Sequence, residues 1–156
     1  MMSSRRQTCR AGSVAIAAVV LTALWGPSLT GQGAKKFAAR LSTVPITVAM
    51  QDAVSGRGTA NATLAGNRLT IDGTFEGLRS PATVARLHAA PRAMRGPAIG
   101  DLTVSKDTKG AVNGSIELSA QQFQALDKSA LYIQIHSEKA PDGNLWGWLL
   151  AEEVKK

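Results

Sequence analysis

Apolar and polar residues alternate along several short segments of the chain, most clearly near the C-terminus. Residues 131–136, LYIQIH, have the period of two that is typical of a strand with one buried face. Pro141, Asp142 and Gly143 then predict a tight turn, because proline fixes its own φ and glycine accepts a positive one. Residues 145–150 are apolar on both faces, which predicts a strand in the interior of a sheet.

A second hairpin is predicted around the Gly-Asn pair at 66–67, which suits a two-residue turn. Pairing the chain about this turn sets Leu64 opposite Leu69 and Ala62 opposite Ile71. The alternation then places Leu69 and Ile71 on the buried face of the sheet.

Shorter segments complete the predicted set of elements. One helix is predicted from an N-cap at Ser119, with Gln122 at the capping-box position, to about Lys128. Further strands are predicted at 44–50, 83–88, 101–105 and 111–118. About eight short strands with turns at intervals of about ten residues, and a short helix, predict an all-β antiparallel sandwich or barrel.

The N-terminal part of the chain predicts an export signal over residues 1–34. A basic start, SRRQTCR, leads into an apolar stretch at 11–25 that is shorter than the roughly 20 residues of a membrane span. An uncleaved N-terminal anchor is the alternative. Residues 35–43 are interpreted as a connector and 44–152 as the folded domain. We therefore expect a secreted or periplasmic protein with no membrane span in the mature domain unless the leader stays uncleaved.

Charge and cysteine content narrow the function classes. The 156 residues carry a formal net charge of +7, without a basic run or aromatic residues interleaved with arginine, so we expect no nucleic-acid partner. The only cysteine, Cys9, precedes the apolar stretch, so the mature domain lacks a thiol nucleophile and a thiolate metal site. The sequence contains neither a Gly-x-Ser-x-Gly motif nor a phosphate-binding glycine motif, and we expect no enzyme activity.

Two histidines, His88 and His136, are the candidates for a metal site. Both lie at predicted strand ends and, by alternation, on the polar face. One interpretation is a copper or zinc site completed by Glu76, Glu138 or Asp142. The other is that each ring hydrogen-bonds the backbone and fixes the loop that follows it. Two imidazoles that share a metal ion need ring nitrogens about 3–4 Å apart, so their separation distinguishes the two interpretations.

Trp146 and Trp148 share one face of the last predicted strand. For at least one of them we expect packing in the core against Phe75 and Leu131. Trp146 directly follows the predicted turn, and we expect it to be partly exposed there. An exposed indole is a candidate contact for a partner, because large amphipathic side chains contribute strongly to binding surfaces.

Several segments, taken in order, resemble one known family. They are ATLAGNRLTIDGTFEGL, ARLHAAPRAMRGPAIGDL and LYIQIHSEKAPDGNLWGWL, and together they span about residues 61–150. This pattern is similar to the CHRD domain, named after chordin and also found in many secreted bacterial proteins. The family has a His-x-His pair on a strand, a loop ending in Gly-Pro, a late strand ending in histidine and a Gly-x-x-x-Gly hairpin. Here His88 precedes the Gly-Pro pair at 96–97, and His136 precedes Gly143 and Gly147.

The chain departs from the family pattern at one position. Arg86 stands where the family usually has the first histidine of the pair, so a metal site carried over from the family loses one ligand. The resemblance implies an antiparallel β-sandwich of immunoglobulin-like or copper-zinc superoxide-dismutase-like Greek-key type, with one short helix, and implies no enzyme activity.

Two functions follow as expectations. The first is an exported, non-enzymatic CHRD module at the cell envelope that has a structural role or binds a protein or an envelope component. The alternative is a copper- or zinc-binding or redox protein that uses His88 and His136. Fold alone does not choose between them, because function belongs to the site rather than to the fold.

Overall fold

The computed structural model describes residues 33–152, and these residues fold mainly as strands. All but the last two positions of the predicted leader lie outside the described residues. The helical elements are α1 (Ala120–Asp127) and a short 3-10 helix (Val48–Met50). The strands are β1 (Lys35–Thr43), β2 (Arg57–Ala65), β3 (Arg68–Glu76), β4 (Ala82–Ala89), β5 (Ala98–Val104), β6 (Gly110–Glu117), β7 (Leu131–Ser137), β8 (Ala140–Trp148) and β9 (Leu150–Ala151). No helix within residues 33–152 combines the length and apolar character needed to cross a membrane.

The strands form one sheet that closes on itself. Going round the sheet, the order is β1-β2-β3-β6-β5-β4-β7-β8 and back to β1, and each pairing is antiparallel. The predicted all-β class with one short helix is confirmed. The predicted two-layer sandwich is corrected to a closed barrel of eight strands, because β1 pairs with β2 along one edge and with β8 along the other.

The first strand also corrects the predicted domain boundary. Residues 35–43 are not a connector but β1, in which Phe37, Ala39 and Leu41 alternate with more exposed residues and are buried in the core. Residues 44–50, which were expected to form a strand, leave the sheet and end in the 3-10 helix. The folded domain therefore begins at β1 rather than at Val44.

The barrel interior holds the apolar residues that the alternation predicts. The hairpin of β2 and β3 has the predicted register, with Leu64 opposite Leu69 and Ala62 opposite Ile71. Gly66 in its turn has a φ of +60°, which glycine adopts without steric cost. The core residues that are almost fully buried include Leu41, Leu69, Ile71, Leu87, Val112, Ile133, Ile135 and Leu145.

The connections of the middle strands place β7 beside β4. Strands β4, β5 and β6 follow one another as neighbours, and the chain then returns through α1 to pair β7 with β4. This order is that of a Greek key. The helix begins as predicted, with both hydrogen bonds of the Ser119–Gln122 capping box, and it buries Leu126 in the core.

The C-terminal hairpin turns at a different place from the one predicted. β7 ends at Ser137 and β8 begins at Ala140, so the turn lies at residues 138–139. Pairing resumes only at Ile135 and Leu145, so the single residue His136 faces the four residues 141–144. Residues 141–144 are therefore a bulge in β8 and not a turn.

Gly143 in this bulge has a φ of +125°, and a Cβ there would overlap Nε2 of Gln134. We expect Gly143→Ala to lower the free energy of unfolding by about 2–4 kcal/mol, from backbone strain and steric overlap together. Gly66→Ala is the matched control, because it has a positive φ but open space around it, and it should cost only about 1–2 kcal/mol. Urea unfolding measures both, and equal losses would contradict the bulge geometry.

Candidate functional site

The candidate site lies on the outer wall of the barrel, where β4, β7 and β8 are neighbours. His88 on β4 is opposite Tyr132 on β7, and Tyr132 is opposite Trp148 on β8. Tyr132 and Gln134 point away from the interior, yet their exposures are only 0% and 2%. They are buried because other parts of the chain cover this wall.

The cover is a small apolar cluster, here called the outer cluster. Its members are Val44, Val54, Ala90, Tyr132, Ala140 and Trp146, with Met50, Ala53 and Trp148 packed against them. Asn144 in the bulge holds the covering segment in place, because its carbonyl oxygen accepts from the Val44 N–H at 3.0 Å. Its side-chain oxygen accepts from the Ser55 N–H at 3.2 Å, and its amide donates to the Ser137 hydroxyl at 2.9 Å. The outer wall is thereby a partly enclosed site and not open surface.

His88 fixes the loop that follows β4. Its Nδ1 is 2.9 Å from the carbonyl oxygen of Gly96, and its ring stacks on Tyr132 with centroids 5.0 Å apart. The hydroxyl of Tyr132 accepts from the Gly96 N–H at 3.1 Å. Both backbone polar groups of Gly96 are thus bonded to side chains of the outer wall.

His136 fixes the bulge of β8 in the same way. Its Nδ1 is 2.7 Å from the carbonyl oxygen of Pro141. The next carbonyl, that of Asp142, accepts from Gln134 Nε2 at 2.9 Å and from Arg95 Nη1 at 2.6 Å. The bulge is therefore tied both to β7 and to the loop that carries Arg95.

These bonds determine which nitrogen carries the hydrogen in the neutral form of each ring. A carbonyl oxygen only accepts hydrogen bonds, so Nδ1 of His88 and of His136 carries the hydrogen, and Nε2 carries a lone pair. Both Nε2 atoms are buried and have no hydrogen-bond partner. The two rings have centroids 6.5 Å apart and are tilted by 35°. The site therefore contains two neighbouring unpaired acceptors, and leaving a buried acceptor unpaired costs about 1–3 kcal/mol.

Burial and nearby positive charge favour a neutral His88. Burial of the ring is the largest cause that lowers the pKa of His88 below its usual 6.5, and the hydrogen bond to Gly96 partly offsets it. His136, Arg86 and Arg95 lower the pKa further through electrostatic repulsion of the imidazolium. The lone pair on Nε2 of His88 is consequently available at neutral pH.

This geometry bears on both interpretations of the histidines, the structural one and the metal-binding one. His88 hydrogen-bonds the loop after β4 and His136 hydrogen-bonds the β8 bulge, so the backbone hydrogen bonds expected from the structural interpretation are present. The rings also lie side by side, and a hydrogen bond from Nδ1 to a carbonyl is the usual support of a histidine that binds metal through Nε2. With ring atoms about 1.1 Å from each ring centre, centroids 6.5 Å apart place the two Nε2 atoms at least about 4.3 Å apart, beyond the roughly 3–4 Å of a shared ion. The separation therefore favours the structural interpretation for the rings as they stand, and a shared ion requires the rings to move closer together.

The prediction that a carboxylate of Glu76, Glu138 or Asp142 completes a metal site is wrong. Within residues 33–152, no three or more His, Cys, Asp and Glu side chains are grouped closely enough to hold a metal ion. Glu76 instead forms an ion pair with Arg57 at 2.8 Å, away from the histidines. Asp142 contributes its backbone carbonyl to the site and not its carboxylate as a ligand.

The predicted exposure of Trp146 is also wrong. Trp146 is only 7% exposed, and its ring centroid lies 4.7 Å from that of Trp148. Neither indole packs against Phe75 or Leu131, which belong to the core inside the barrel, because both indoles belong to the outer cluster. Residues 44–54 cover the outer wall and bury Trp146, a side chain that the local sequence pattern places at the surface.

Sequence reasoning missed the residues that build the site around the histidines. Tyr132, Gln134 and Asn144 are buried and position the loop, the bulge and the covering segment respectively. A signal for the two amide residues was present, since Gln134 and Asn144 stand next to strongly apolar strand segments. A polar side chain is buried only where it finds hydrogen-bond partners.

The lowered pKa of His88 predicts a pH dependence of stability. In the unfolded chain His88 binds a proton at pH values where His88 in the folded protein does not. The contribution of His88 to the free energy of unfolding is therefore fully present above about pH 6.5 and is lost as the pH drops below that value. We expect His88→Gln, which keeps a neutral donor but does not titrate, to lose less stability than the wild type between about pH 7 and pH 5. Urea unfolding across that range provides the comparison. Identical slopes for the two proteins would contradict a buried neutral His88.

Comparison with known proteins assigns the family. The family model of the CHRD domain matches residues 37–149, a range that begins in β1 and ends just after β8 and includes both histidines. A search of curated proteins finds no match. The family model covers well over half of the 156 residues, and the resemblance inferred from the three sequence segments is confirmed. The chain belongs to the CHRD domain family.

Proposed function

We propose that this protein is an exported, non-enzymatic CHRD module that binds a transition-metal ion at His88 and His136. One observation carries the proposal: both Nε2 atoms are buried without a partner on rings whose centroids are 6.5 Å apart. A bound ion would accept both lone pairs and remove the cost of leaving them unpaired. Imidazole suits copper and zinc, the two metals named for the alternative function.

The support for each ring is already in place before any ion binds. The Nδ1–H groups donate to the carbonyls of Gly96 and Pro141, which fixes ring orientation and leaves Nε2 as the ligand atom. Pre-organised ligands lose little freedom on binding, so even a small ligand set can bind effectively. The same bonds would couple the ion to the loop at Gly96 and to the β8 bulge.

Export and the absence of enzyme activity are parts of the proposal that rest on sequence. The basic and apolar character of residues 1–34 supports export, and the lack of a recognisable catalytic motif supports a binding role. A protein or envelope-component partner stays a prediction, and Trp146 offers no exposed contact for one because it is buried.

A metal titration tests the proposed site. We expect the purified protein to bind copper or zinc, and the His88→Ala and His136→Ala variants to lose at least about 100-fold in affinity, because each removes one ligand. Competition with a chromophoric chelator measures these affinities. Glu76→Gln is the control, since Glu76 pairs with Arg57 away from the histidines, and it should bind as the wild type does.

NMR of the wild type gives a second readout that does not depend on whether the alanine variants fold. In the wild type, metal should shift the NMR signals of the His88 and His136 rings while leaving the core signals of the barrel in place. Equal binding by the wild type and by a double alanine variant would contradict the proposal, and so would metal binding that leaves both ring signals unchanged.

A further inference from the structure

The spacing of the two imidazoles is nearest to that of collinear coordination. With metal–nitrogen bonds of about 2 Å and ring atoms about 1.1 Å from the ring centre, two imidazoles on one ion have centres about 6.2 Å apart when the two bonds are collinear. At a tetrahedral angle the same construction gives about 5.1 Å. The observed separation of 6.5 Å exceeds the collinear value by about 0.3 Å and the tetrahedral value by about 1.4 Å, so collinear coordination requires the smaller movement of the rings.

The ligand set of the site is also small. Within the described residues, no third His, Cys, Asp or Glu side chain joins the two histidines. Zinc(II) in proteins is generally held by three or four protein ligands in a tetrahedral arrangement. A closed-shell monovalent ion such as copper(I) is satisfied by two collinear nitrogen ligands, and imidazole suits copper.

The charges beside His88 act against a divalent ion. Arg86 lies two residues before His88 on β4, and its guanidinium pairs with Asp101 at 2.9 Å. Arg95 reaches the bulge through its bond to the Asp142 carbonyl. Both guanidinium groups repel positive charge at His88, and this repulsion is smaller for a monovalent ion than for a divalent one.

We propose that the site is selective for monovalent copper, held collinearly by Nε2 of His88 and Nε2 of His136. The proposal rests on the metal-binding function proposed above and adds the oxidation state and the coordination number. The occupant is then a cuprous ion taken up and released without a redox step in the protein. Copper(I) would satisfy both unpaired acceptors while leaving the hydrogen bonds to Gly96 and Pro141 unchanged.

Two measurements on the full chain test this selectivity. Anaerobic titration against a copper(I) chelator and aerobic titration against a zinc chelator should give saturable binding of copper(I) and no saturable binding of zinc(II). X-ray absorption of the copper(I) form should show two nitrogen neighbours and no third. Zinc(II) binding as tight as copper(I) binding, or a third copper neighbour, would overturn the inference while leaving metal binding intact. Failure of both ions to bind would instead overturn the proposed function.

One substitution tests why zinc is excluded. Arg86→His removes a positive charge and places a third imidazole on the same strand and face as His88. We expect this variant to gain saturable zinc(II) binding. Arg57→His is the matched control, because it makes the same chemical change at an exposed position that pairs with Glu76, and it should gain none. If Arg86→His still shows no saturable zinc(II) binding, ligand number and charge do not explain the selectivity, and this explanation is overturned.

Discussion

The pairing of β1 with both β2 and β8 is the constraint on which the rest of the molecule depends. It closes the sheet, so the interior can be filled entirely by apolar side chains from the inner faces of the strands. The polar side chains of the candidate site, such as His88 and Gln134, then lie on the outer wall. That wall becomes a site only because the segment after β1 folds back over it and contributes to the outer cluster.

The histidines and the backbone around them stabilise each other. His88 holds the loop at Gly96, His136 holds the bulge at Pro141, and the carbonyls in turn determine which nitrogen of each ring is free. The result leaves two buried acceptors unpaired, which is unfavourable for a purely structural pair of rings. The proposed binding of an ion would give this arrangement a physical reason, since the free nitrogens would then become ligands.

Local sequence pattern predicted much of the fold and less of the site. The register at Leu64 and Leu69 and the helix start at Ser119 depend on neighbouring residues, and both were predicted. β1 was missed because its outward lysine and arginine residues obscure the alternation of Phe37, Ala39 and Leu41. The burial of Trp146 and the distance between the histidines were not predictable, since they depend on a distant covering segment and on a bulge at a position that favours a turn.

The central claim is that each ring carries its hydrogen on Nδ1 and leaves Nε2 as a free lone pair. Nitrogen-15 NMR of the metal-free protein with labelled histidine reports the protonation of each ring nitrogen directly. For the neutral form of each ring, the hydrogen bonds predict a protonated Nδ1 and an unprotonated Nε2 in both His88 and His136. A neutral ring that carries its hydrogen on Nε2 instead of Nδ1 would contradict this prediction.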